Sequence, residues 1–143
     1  MAHLVDTNVL VYRFDPRFPD KQRKANALLR TGLVQGDARV AHQALVEFVA
    51  AATRPMTKAR DPLLSRSEAL QEVEGILNQF PVLYPSAATF RLAIHGVATY
   101  GLSWFDANMW AMAEYHSLTP LYTEDLHHGA TYGTVRIVNP FLG

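Results

Sequence analysis

With 143 residues, 49% of them hydrophobic and 18% charged, the chain has the size and make-up of a single domain over residues 1–143, not of a disordered or low-complexity protein. It contains no cysteine, so disulfides, thiolate metal sites and cysteine nucleophiles are excluded, and a reducing compartment is suited. The 13 basic and 13 acidic side chains give a formal net charge of zero, which taken alone argues against a strongly cationic nucleic-acid binder.

The opening Met1-Ala2-His3-Leu4-Val5-Asp6 has neither the basic start nor the long apolar stretch of a secretory signal, and His3-Leu4-Val5 reads as a first strand. Pro19 and Asp20 introduce a helix in which Ala25, Leu28 and Leu29 share a face, with Gly32 and Gly36 ending it. Arg39-Val40-Ala41 reads as a second strand, and His42 to Thr53 as a helix stopped by Pro55. Met56 to Leu64 is polar, basic and interrupted by Pro62, which predicts an exposed loop. Ser65 to Gln79 predicts a helix, with Ser65 and Glu68 spaced as a capping box. Val82-Leu83-Tyr84, between Pro81 and Pro85, reads as a strand. Ser86 caps a helix whose apolar face is Phe90, Ile94, Val97 and Ala98; Gly101 ends it, and Ser103 opens another that runs to about His116. Leu121-Tyr122 and Val135-Arg136-Ile137-Val138 are the last strands. The longest apolar runs, such as Phe48 to Ala52, fall far below the ~18 residues of a membrane span. A cytoplasmic protein without membrane contact is expected.

This alternation predicts an α/β three-layer sandwich around a central, mostly parallel sheet of about five short strands. In such sheets ligands gather where strands end and the following helices begin. Asp6 directly follows the first strand, and Asp125 comes just after Leu121-Tyr122. Glu47 lies about 7.5 Å into the helix that starts at His42, and Asp106 sits in the first turn after Ser103. All four acids can therefore converge on one edge.

Each acid also has a local reading. Asp6 suits an N-cap, Asp106 a capping arrangement with Ser103, and Asp125 an Asx turn. Glu47, among apolar neighbours, suits either a solvent stripe or a ligand. Their shared placement favours a site, where converging carboxylates repel one another unless a cation compensates. Oxygen ligands select a hard ion, Mg²⁺ or Mn²⁺, and such an ion activates water and neutralises charge on a phosphodiester. A metal-dependent enzyme acting on phosphoryl groups is the expectation. A haloacid-dehalogenase-like phosphatase would place an aspartate two residues after Asp6; Asn8 stands there instead.

The motifs Val5-Asp6-Thr7-Asn8-Val9-Leu10, Ser103-Trp104-Phe105-Asp106-Ala107 and Thr123-Glu124-Asp125, with Glu47 between them, resemble the PIN-domain ribonucleases. The tail, from Thr123-Glu124-Asp125-Leu126-His127-His128-Gly129 to Val135-Arg136-Ile137-Val138-Asn139-Pro140-Phe141, is similar to that of the VapC-type toxins of bacterial toxin–antitoxin pairs. The similarity runs from Val5 to Phe141. It implies a PIN-like fold and makes Asp6, Glu47, Asp106 and Asp125 a catalytic acidic quartet that binds metal, Asp6 and Asp106 foremost. It gives Asn8 and Thr123 supporting roles. It further implies hydrolysis of RNA by metal-activated water, leaving a 3′-hydroxyl and a 5′-phosphate, together with a homodimer and a small antitoxin partner. Asp125 is chosen over its neighbour Glu124 by its place in the motif. A non-catalytic domain that only binds antitoxin or a second copy is the alternative.

The zero net charge is a cancellation. Residues 13–66 carry 11 basic and 5 acidic side chains, a net of +6; residues 67–143 carry 2 and 7, a net of −5; Asp6 supplies the rest. Arg54, Lys58, Arg60 and Arg66 around the basic loop, with Arg13, Arg17, Lys21, Arg23 and Lys24, suit an RNA-binding rim. His127-His128 reads as exposed turn, and Trp104, Phe105, Met109, Trp110 and Met112 as core or dimer face. Arg136 is a candidate for the antitoxin-facing side.

Overall fold

Six strands and six helices follow one another over residues 1–55 and 61–143, the residues that this computed structural model describes. The strands are β1 (His3–Val5), β2 (Ala38–Ala41), β3 (Val82–Leu83), β4 (Leu121–Tyr122), β5 (Thr131–Tyr132) and β6 (Val135–Val138). The helices are α1 (Thr7–Tyr12), α2 (Pro19–Gln35), α3 (His42–Thr53), α4 (Arg66–Gln79), α5 (Ala87–Tyr100) and α6 (Trp104–Tyr115). Among these residues no helix is long and apolar enough to cross a membrane.

The strands form one sheet in the order β3-β2-β1-β4-β6-β5, parallel throughout except for the β5–β6 pair. The expected α/β sandwich is present, with six strands in place of about five. The extra strand is β5, whose Tyr132 pairs with Val135 across the two-residue loop Gly133-Thr134. Gly133 takes a φ of +59°, a left-handed value that glycine adopts without cost in such a hairpin.

From β1 the chain moves outward through β2 to β3 and then returns to the other side of β1 as β4. The order therefore reverses beside β1, a topological switch point that opens a crevice at the carboxyl ends of β1 and β4. Val5 pairs with Tyr122, so the next residues, Asp6 and Thr123, leave the sheet side by side. Right-handed crossovers put α1–α4 on one face and α5–α6 on the other. Accordingly α1 packs on α2 and α3, α3 on α4, and α5 on α6.

Local signals operate as expected at most helix ends. Ser65 and Glu68 complete a reciprocal capping box, and Ser86 does the same with Thr89. Gly36 and Gly101 close α2 and α5 in the left-handed conformation. Gly32 does not end α2. It lies buried within that helix, where a Cβ would come within 2.5 Å of the Ala38 Cβ, so it serves the close approach of α2 to β2.

The apolar face assigned to α5 is also corrected. Phe90 is 50% exposed and Ile94 59%, with Val97 and Ala98 outward as well, whereas Thr89, Ala93 and Gly96 are buried. Packing on α6 explains the inversion. A Cβ on Gly96 would stand 2.8 Å from the Trp110 ring, so only small side chains fit on the inner side of this crossing. Trp110 is fully buried and donates its indole N–H to the Tyr132 carbonyl at 3.0 Å, tying α6 to β5. Met109 and Met112 are core as expected, while Trp104 and Phe105 are exposed.

Candidate active site at the carboxyl edge of the sheet

Asp6 ends β1 in extended conformation and caps α1: its Oδ1 accepts the Thr7 N–H at 2.6 Å. The N-cap reading holds, and Asp6 also lines the crevice, where its second oxygen, Oδ2, has other partners. It accepts the Thr123 hydroxyl at 2.7 Å and lies 3.5 Å from the Asn8 amide. Burial pushes the Asp6 carboxyl up to about 7, and the charges of Asp125 and Glu47 add to that, against the opposing pull of the Thr123 and Thr7 hydrogen bonds.

Asn8 is a hub. Its Nδ2 also donates to Thr123 Oγ1 at 3.2 Å and to Asp125 Oδ2 at 3.2 Å, while its Oδ1 is buried with no partner among the described residues. Thr123 is fully buried and accepts the Asp125 backbone N–H at 3.0 Å, which makes the turn that presents Asp125 to the cleft. Desolvation pushes the Asp125 carboxyl up, as do the charges of Asp106, Glu124 and Glu47, with the Asn8 hydrogen bond opposing them.

Glu47 enters from α3. Its Oε2 accepts the Thr7 hydroxyl at 3.0 Å and its Oε1 the Gln43 amide at 2.8 Å. Gln43 Nε2 also donates to the Phe105 carbonyl at 3.0 Å, joining the start of α3 to the start of α6. Asp106 lies in the first turn of α6, where its backbone N–H donates to the Ser103 hydroxyl at 3.2 Å. Its carboxylate does not complete a capping box and lines the cleft instead. All four acids thus border a single cleft of about 670 Å³. Among the described residues no three His, Asp or Glu side chains are gathered as an ion-binding group.

The adjacent Glu124 lines the same cleft but is tied to other partners. It accepts the Tyr12 hydroxyl at 2.7 Å and pairs with Lys21 Nζ at 2.9 Å, so its charge is compensated while that of Asp125 is not. The Thr-x-Asp turn and this distant pairing give the two neighbouring acids different partners.

The family model for the PIN domain matches residues 3–133. The chain belongs to the PIN domain family. No curated protein matches it. Among solved structures, this PIN domain is similar to a toxin–antitoxin complex from Klebsiella pneumoniae, at 22% identity, with 97% of this chain and 98% of that one covered and a TM-score of 0.70. It is also similar to a DNA-bound VapBC from Salmonella typhimurium, at 15% identity over 96% of both chains and a TM-score of 0.64. A third similar structure is the sarcin-ricin-loop-cleaving toxin VapC20 of Mycobacterium tuberculosis, at 14% identity over 87% of this chain and 90% of that one, with a TM-score of 0.62. At these identities the likeness establishes the fold.

The cations of this PIN domain divide into those that reach the cleft and those that do not. Arg17 and Arg54 line it. Arg66 begins α4 as an exposed residue outside the lining, and Lys58 and Arg60 lie outside the described residues, as does most of the predicted basic loop. Arg23 pairs with Asp20, and Lys24 donates to the Phe141 and Gly143 carbonyls. Much of the basic excess in the first half is therefore spent on the protein itself. His127 and His128 are exposed on a turn away from the cleft lining; His128 Nδ1 accepts the Asn139 N–H at 3.0 Å.

Two supporting residues of this PIN domain escape a reading by motif. Thr7, between Asp6 and Asn8, holds Glu47, and Gln43 holds it from the other side. Gln43 was discoverable by its spacing, since it stands four residues before Glu47 on one helix face.

Proposed function

We propose that this PIN domain is a metal-dependent ribonuclease, the toxin of a toxin–antitoxin pair, with Asp6, Glu47, Asp106 and Asp125 as its catalytic acids. The observation that carries the reading is that four carboxylates line one cleft at the switch point, without being drawn together as a ready ion-binding group, and that Asp6 is buried so deeply that its anion is disfavoured. That donor set suits a hard divalent ion. It is all oxygen, and among the described residues no imidazole lines the cleft and the buried Asn8 Oδ1 is an acceptor without a donor. Asp6 and Asp106, supported by Glu47 and Asp125, would hold Mg²⁺ or Mn²⁺.

When bound, such an ion lowers the pKa of water and neutralises charge on the phosphodiester. The protein's own part is positioning. Thr123 and Asn8 aim Asp6 and Asp125, and Thr7 and Gln43 aim Glu47. Hydrolysis adds water across one P–O bond, leaving a 3′-hydroxyl and a 5′-phosphate. The similar structures, a toxin–antitoxin complex and a toxin that cleaves the sarcin-ricin loop, support an antitoxin partner and an RNA substrate. Purified protein freed of antitoxin should cleave mixed RNA in Mg²⁺ or Mn²⁺ and stop when EDTA is added. Wild type that is inert under these conditions would favour a partner-binding domain without catalysis.

The outward side of α5 supports a homodimer. Phe90, Ile94 and Val97 are exposed there, Phe90 stacks on exposed Trp104 with ring centroids 6.2 Å apart, and Phe105 beyond it is 68% exposed. Large aromatic and aliphatic side chains grouped in this way mark a surface meant to be covered. Ile94→Glu should convert dimer to monomer in light scattering with little change in the monomer's own helix content, because Ile94 touches solvent. A variant that stays dimeric would move the interface elsewhere.

A further inference from the structure

Among the cations that flank the cleft, Arg17 is set differently from the rest. Its Nε donates to Asp15 Oδ1 at 2.9 Å and its Nη2 to Asp15 Oδ2 at 2.8 Å, a two-bond fork. Its backbone N–H donates to the same Oδ1 at 3.1 Å. The guanidinium carbon lies 5.4 Å from the centroid of the Phe18 ring, so aromatic packing restrains it as well. Asp15 is 2% exposed and held below the usual carboxylate range by Arg17, whereas the Arg17 side chain is 42% exposed and lines the carboxylate cleft. Nη1 makes no hydrogen bond among the described residues.

A buried carboxylate is costly without a partner, and this one is matched to a guanidinium that faces outward. The fork fixes the arginine's position while leaving one terminal nitrogen for a ligand. An arginine on a flexible stem loses much side-chain entropy when it binds; here Asp15 and Phe18 have removed most of that loss beforehand. The planar group matches the oxygens of a phosphate.

We propose that Arg17 anchors an RNA phosphate flanking the scissile one, and that Asp15 is the positioning residue that holds it there. The inference rests on the nuclease reading above. A nucleic-acid strand fits this arrangement because it carries phosphates in series. One lies among the carboxylates while a neighbour meets a fixed cation on the cleft wall.

The test uses Arg17→Gln, Asp15→Asn and the double variant, which replaces the charged pair by a neutral one and guards against an unpaired buried carboxylate unfolding the protein. Arg17→Gln should raise KM about tenfold, the effect of losing one charge-assisted contact, with kcat nearly unchanged. In an Asp106→Asn background, binding of a short mixed-sequence single-stranded RNA should lose about one unit of its log–log salt slope. Arg17→Lys should not restore affinity, because an ammonium cannot keep the fork. The double variant should match Arg17→Gln. Unchanged KM and salt slope in the folded double variant would overturn the proposal. So would lost affinity for an acidic peptide with RNA binding intact. If wild type fails to cleave but RNA binding still depends on Arg17, the anchor stands and the hydrolytic reading falls.

Discussion

Asp106→Asn is expected to slow RNA cleavage by about a thousandfold, the equivalent of about 4 kcal/mol, and to leave the melting temperature within about 2 °C of wild type. The two halves of this expectation follow from different atoms of the same residue. What the fold needs from Asp106 is its backbone N–H, which meets the Ser103 hydroxyl at the start of α6, and asparagine keeps it. What the proposed chemistry needs is the second carboxylate oxygen and its charge, and asparagine removes both. The loss of one negative charge in the first helical turn costs only a few tenths of a kcal/mol. Asp6 is the less informative target, because its oxygens are engaged by Thr7 and Thr123, and an amide there would set a donor against a donor. Quenched-flow or gel assays on mixed RNA, paired with thermal unfolding, check the prediction. Cleavage at the wild-type rate would remove Asp106 from the machinery. A large fall in melting temperature would make its role structural.

Asp106 was accessible to sequence reasoning because helix starts and strand ends leave local marks. Serine before a helical run, glycine after one and short β-branched segments between them fixed the order of elements, and the order alone carried the four acids to one edge. The contacts that turn an edge into a site are of another kind. Nothing local in Thr123-Glu124-Asp125 distinguishes the two acids. The distinction comes from Tyr12 and Lys21, more than a hundred positions earlier, which compensate Glu124. The face of α5 misled for a related reason. Periodicity identifies which residues share a side, not whether that side meets the core, and the bulk of Trp110 on α6 admitted only Gly96 and Ala93. Strand β5 was too short to show any period, and its pairing depends on a glycine turn. The charge layout likewise counted cations correctly without showing that Asp20 and Glu124 had already taken up Arg23 and Lys21.

The same cleft predicts how stability depends on pH and on divalent ions. Asp6 has a pKa of about 7 in the fold against an ordinary value of 3.8, because burial disfavours its anion. A raised carboxyl pKa is a cost that is absent below about pH 4, grows as pH rises, and is complete above about pH 7; at most it reaches about 4 kcal/mol. His3 works in the opposite sense, since burial holds its pKa below 6.5 and protonation at low pH opposes folding. The wild-type curve alone is therefore the wrong readout, and the difference between wild type and Asp6→Asn isolates the carboxyl. In EDTA, the melting temperature of wild type should fall relative to that of Asp6→Asn as pH rises from about 5 to about 8. Millimolar Mg²⁺ or Mn²⁺ should reverse that fall at pH 8, raising wild type by about 3–10 °C, because an ion bound to the folded state alone stabilises it by mass action. The same ion should do little for Asp6→Asn. Parallel pH curves for the two proteins would mean that Asp6 titrates normally. An equal metal shift in both would place the ion away from Asp6 and divide the four acids between separate sites.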